Sequence, residues 1–204
     1  FIFVVTDDLD EPLLQQVVRR AKKQKDIRAL NNTLRSILHH YPKNKHLRSS
    51  FIYVIDELSK LKSYLWIDSL WFRANPILDD LEERDWNAIF GGLLLLPGVD
   101  YHAEEILRVA ASKYPEQVIS FFHKRVEIKS SKKRSLDDQY DGVPFNLHKL
   151  GESLKQQAKI VVPLLIKWYK DGGKESNWLF KWEASHLLEE IFPQLDPILE
   201  RTLV

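Results

Sequence analysis

The sequence predicts an all-α protein, an α-solenoid of antiparallel helical hairpins stacked with a period of about 38 residues. Apolar residues recur at helical spacing through most of the chain. Glycine is scarce, seven in 204 residues, and no Asn-Gly or Gly-Asn pair marks a β-hairpin. An aromatic residue precedes proline at Tyr41-Pro42, Tyr114-Pro115 and Phe192-Pro193, each time between two apolar helical runs.

Taken in chain order, Phe1 to Val5 is the one strand-like piece, rich in β-branched and aromatic residues. Residues 1–11 are expected to end an upstream element or a first helix, and 12–204 to form the repeat domain. Leu13, Leu14, Val17, Val18 and Ala21 share one helical face, and Leu30, Leu34, Ile37 and Leu38 share the next. Phe51, Val54, Ile55, Leu58 and Leu61 repeat the pattern. Further on come Ile106, Val109 and Ala110, then Val118, Ile119, Phe122 and Val126. Leu164, Leu165 and Trp168 follow, and Trp182, Leu187, Leu188 and Ile191 close the series. Proline suits the first turn of a helix and disfavours helix in the residue before it, so it punctuates hairpins. Pro76 and Pro163 divide the intervals between the aromatic-proline junctions, and the steps from Pro42 to Pro193 average about 38 residues. The longest step holds Glu127 to Pro144, a polar stretch expected to be a mobile insertion at about 127–144.

Charge bounds the partner. Lys and Arg number 30 against 29 for Asp and Glu, a net charge of +1. A dedicated duplex binder carries a basic excess, because phosphate neutralisation drives its affinity. There is no cysteine, which excludes disulfides and thiolate metal sites. The longest apolar stretches fall far short of the roughly 20 residues that span a bilayer. No basic segment precedes an apolar one at the start, so no signal peptide and a cytoplasmic location are expected. The start at Phe1 leads us to expect a piece of a longer protein.

The period, the aromatic-proline junctions and the helix Pro115-x-x-Val118-Ile119-x-Phe121-Phe122 resemble HEAT-type α-solenoids. More loosely, the chain resembles the helical-repeat sensor regions downstream of the ATPase in bacterial STAND or NACHT defence proteins. The first likeness covers most of the chain from about residue 12 onward. It implies a curved, non-catalytic module that recognises a protein partner, as the sensor or scaffold part of a larger bacterial protein. No cofactor or metal is expected.

Several motifs compete with that reading. Phe1 to Val5 followed by Asp7, Asp8, Asp10 and Glu11 resembles a Walker B segment, but no glycine-rich phosphate loop accompanies it. An acidic cap before Pro12 explains the same residues and is preferred. Arg35 and His40 fit the R-x4-H spacing of HEPN ribonucleases; a histidine pair at a helix end is the simpler account. His186 with Glu189 or Glu190 reads as a surface contact rather than a metal pair. Basic residues cluster at Arg19, Arg20, Lys22, Lys23, Lys25 and Arg28, and again at Lys132, Lys133 and Arg134, a possible basic surface. With Trp66, Trp71, Trp86, Trp168, Trp178 and Trp182, and the carboxylates Asp68 and Asp85, they sustain an alternative. That alternative is a HEAT-like nucleic-acid-binding protein or DNA base-excision enzyme. Against it, aromatic residues at helical spacing are usually core, and Asp79 to Asp85 is acidic.

Overall fold

The computed structural model describes residues 11–72, 76–131, 140–171 and 178–192. Among them are eleven α-helices, one short 3-10 helix and no strand, as the all-α expectation requires. The strand-like Phe1 to Val5 and the acidic segment after it lie outside the described residues, as does Pro193. The chain divides into two compact units, Phe1–Leu95 and Leu96–Val204.

In the first unit α1 spans Glu11–Gln24 and α2 spans Ile27–His40. Leu14, Val18 and Ala21 form the buried stripe of α1, while Leu13, placed on that stripe by the periodicity, is exposed. Lys25 takes a left-handed φ of 53° and closes α1 in place of a glycine. Its amide donates to Lys22 O at 3.1 Å, and that of Asp26 to Ala21 O at 2.8 Å. Asp26 then opens α2, its Oδ1 accepting from Ala29 N at 3.0 Å. Leu30, Leu34, Ile37 and Leu38 of α2 are all buried.

The first aromatic-proline junction is an anchor as well as a break. Tyr41 is buried and its hydroxyl donates to Asp80 Oδ2 at 2.9 Å. Burial, followed by that hydrogen bond, pushes the Tyr41 pKa up to about 12. A 3-10 turn (Lys45–Leu47) leads into α3 (Arg48–Lys60), which packs on α2 and on α6 (Glu83–Leu93). Phe51, Val54, Ile55 and Leu58 are wholly buried there, each stabilising the unit by roughly 1.5–3 kcal/mol of transfer free energy. Between them lie α4 (Leu65–Phe72), which packs on α2, and the five-residue α5 (Pro76–Asp80). A capping box of Glu82 and Asp85 starts α6. Arg48 bridges to both acids.

The second unit holds α7 (Tyr101–Lys113), α8 (Pro115–Ser131), α9 (His148–Gln156), α10 (Ala158–Asp171) and α11 (Trp178–Ile191). Tyr114 has φ −134° and ψ 57°, the non-helical backbone favoured before proline, and α7 ends and α8 begins at Pro115. The α7–α8 and α10–α11 pairs pack directly, and α9 packs on α7, α10 and α11.

Two expectations need correction. Pro163 marks no junction, because it lies inside α10, where it removes one helical hydrogen bond and the chain continues. The stretch 127–144, expected as a polar insertion, is helix at its start and mostly buried loop at its other described end. Residues 127–131 are the last turns of α8, and Tyr140, Gly142, Val143 and Pro144 are buried. Its middle, 132–139, lies outside the described residues, including Lys132, Lys133 and Arg134.

Candidate interaction surface

The segment 140–147 has no regular structure, yet several of its backbone groups are bonded by three charged side chains on two helices. Arg125 of α8 is wholly buried. Its Nε and Nη2 donate to Asp141 O at 3.0 and 2.6 Å, and Nε also reaches Gly142 O at 3.3 Å. From Nη1 and Nη2 it donates to Leu96 O and Pro97 O, both at 3.0 Å. Its guanidinium lies 4.4 Å from the centre of the Tyr140 ring. Burial pushes its pKa below the usual arginine value, while Tyr140, Asp141 and Glu183 favour the charged form. An arginine remains protonated under such a shift.

Glutamates complete the frame from the opposite sign. Glu183 of α11, also wholly buried, accepts from Val143 N at 3.0 Å and from Lys129 Nζ at 2.8 Å. Glu190 accepts from Leu147 N at 3.2 Å. Glu104 of α7 caps α9, its Oε1 accepting from Lys149 N at 2.9 Å and Leu150 N at 3.0 Å. Gly142 leaves room for this arrangement: a Cβ there would sit 2.7 Å from Glu183 Oε1.

The framed segment ends in a cluster of exposed rings. Phe145 is 65% exposed and Trp182 45%. Their ring centres lie 6.3 Å apart, edge to face. His186 sits beneath both, 4.3 Å from Phe145 and stacked at 5.6 Å on Trp182. Its Nε2 is buried and has no hydrogen-bond partner among the described residues. Trp178, one turn before Trp182 on α11, is 59% exposed. Lys129 Nζ lies 5.9 Å from the centre of the Trp182 ring, so a cation borders the apolar patch.

The basic residues singled out in the sequence are placed differently. Arg19, Arg20, Lys22, Lys23, Lys25 and Arg28 are all exposed, on α1, the turn after it and the start of α2. Lys22 is engaged: its Nζ donates to Glu57 Oε1 at 2.9 Å and to Tyr53 Oη at 3.2 Å. Arg35 is exposed whereas His40 is buried, so the R-x4-H pair does not converge on one surface. Trp66, Trp86 and Trp168 are core, and Asp85 is bound up in capping α6 and pairing with Arg48. Glu190, paired with His186 in the sequence reading, reaches Leu147 instead. No three His, Asp or Glu side chains among the described residues converge as metal ligands. None of the described helices is long and apolar enough to cross a membrane.

Sequence reasoning missed Phe145, Arg125, Glu183 and Glu104. For the last three a signal existed, since each is a charged residue on the apolar stripe of its helix: beside Phe122 and Val126, beside Ala184 and Leu187, and beside Ala103 and Leu107. Phe145 carried no signal, being a lone aromatic outside any periodic run. Compared with protein-family models, with characterised proteins and with solved structures, the chain matches none.

Proposed function

We propose that this chain is a non-catalytic, HEAT-like helical-repeat module that recognises a protein partner, as the sensor or scaffold part of a larger bacterial protein. The observation that carries the reading is the exposed cluster of Phe145 and Trp182 over His186, with Trp178 one turn away. Large aromatic rings left in water and rimmed by polar groups are where protein interfaces concentrate their binding energy. The polar frame behind Phe145 costs three buried or half-buried charges, an arrangement that pre-orders a loop before it meets a partner. A solenoid would present such a surface without needing any catalytic geometry.

The test is a photo-reactive phenylalanine analogue at position 145 of the full chain, with the same analogue at exposed Glu152 as control. A protein cross-linked from 145, absent from 152 and lost on Trp182→Ala, is the expected outcome. Cross-linking to nucleic acid instead would favour the second reading, for which the exposed cations of α1 speak. That reading requires binding that falls steeply with salt and is lost on joint charge reversal of Arg19, Lys22 and Lys23.

A further inference from the structure

In the first unit, α1 and the start of α3 enclose a cleft of about 310 Å³ lined by Gln15, Val18, Arg19, Ser49, Ser50 and Tyr53. Every polar side chain described on that wall is able to donate a hydrogen bond, and no carboxylate among the described residues lines it. Arg19 is exposed and has no ion-pair partner among the described residues. Other cations of the same two helices are committed, Lys22 and Lys60 to Glu57 and Arg48 to Glu82 and Asp85. Glu57 is thereby kept out of competition for Arg19. Tyr53 Oη accepts from Lys22, which leaves its own proton to be donated elsewhere. Buried Val18 supplies an apolar wall.

We propose that this cleft is a binding site for a carboxylate carried on a short aliphatic stem, either a small dicarboxylic acid or a glutamate side chain of a peptide. The planar guanidinium of Arg19 takes the carboxylate through paired N–H donors. The hydroxyls of Ser49, Ser50 and Tyr53 supply further donors, and the stem lies against Val18. The volume suits a ligand of that size. This site stands apart from the Phe145–Trp182 surface in residues and chemistry, so failure of one leaves the other standing.

The experiment is calorimetric titration of the full chain with glutarate, with a capped Gly-Glu-Gly peptide, with inorganic phosphate and with a single-stranded oligonucleotide. The expected result is binding of glutarate or the peptide, weakened about tenfold or more by Arg19→Gln and unchanged by Lys23→Gln. Whichever of the two carboxylates binds more tightly identifies the source. Lys23 is an equally exposed cation of the same helix outside the cleft, so equal loss in both variants means diffuse attraction and overturns the site. Tighter binding of phosphate overturns the carboxylate assignment. No carboxylate binding at millimolar concentration, with or without oligonucleotide binding, overturns it as well.

Discussion

Arg125 grips the main-chain oxygen of Asp141, sixteen positions along the chain, twice, through Nε at 3.0 Å and Nη2 at 2.6 Å. The same side chain reaches Leu96 O and Pro97 O, so one buried cation ties α8 to two loops. Asp141 N returns a bond to Pro97 O at 2.8 Å, which joins the two loops to each other. A guanidinium is suited to this task because its five donors fan out in one plane and are never deprotonated.

Arg125→Met is therefore expected to destabilise the second unit by roughly 3–5 kcal/mol, since it strands several buried carbonyls and leaves Glu183 with less positive charge nearby. Arg125→Lys should recover only part of that, having a single point of donation. Denaturant unfolding measures both; a methionine variant within about 0.5 kcal/mol of the parent would refute the latch.

Glu104 offers a cleaner case, because it holds a helix end from another helix. Glu104→Ala should cost about 1–2 kcal/mol and hasten hydrogen exchange at the Lys149 and Leu150 amides. Glu104→Gln, which keeps one acceptor oxygen, should cost less. Unchanged exchange at those two amides in the alanine variant would mean that α9 does not depend on this cap.

Gly91 and Gly92 are neighbours in α6 with opposite surroundings. A Cβ at Gly91 meets nothing within 4 Å, whereas at Gly92 it would lie 2.5 Å from Ser59 Oγ and 2.9 Å from a Trp66 ring carbon. Gly91→Ala is expected to stabilise the first unit by up to about 1 kcal/mol through helix propensity alone. Gly92→Ala should destabilise it by roughly 1–3 kcal/mol through overpacking. Thermal melts of the two variants should shift in opposite directions.

Glu57 ties stability to pH. Burial pushes its pKa up, but the hydrogen bonds and charges of Lys22 and Lys60 outweigh burial and hold it below the usual 4.5. A carboxylate with a depressed folded pKa stabilises the fold above its unfolded value, and that share is lost as pH falls through the folded one. Stability of the parent should thus decline as pH drops below about 4.5, and Glu57→Gln should flatten that part of the profile. At neutral pH the variant should cost about 1 kcal/mol, because both lysines are half in water. Parallel acid profiles for parent and variant would exclude Glu57 as the source.

Local chemistry was enough to read much of the fold from the sequence. The stripe of Leu30, Leu34, Ile37 and Leu38 is a 3.6-residue pattern that only a helix buries on one side, and all four are buried in α2. Pro115 starts α8 because a missing N–H and a fixed φ suit the first helical position. The same rule misled at Pro163, where packing of α10 against α8 and α11 outweighs one lost hydrogen bond. It misled too at 140–144, read as polar insertion, because composition shows what a segment lacks and not what reaches over to satisfy it. The candidate surface was decided at that tertiary level. Whether Phe145 and Trp182 face water together, and whether Arg125, Glu183 and Glu190 converge on one loop, depends on partners 16 to 43 residues apart. Helical periodicity is a property of neighbours a turn apart and holds wherever the helix lies. A buried charge is tolerable only where distant chain supplies its counterpart, and that meeting exists only in the folded molecule.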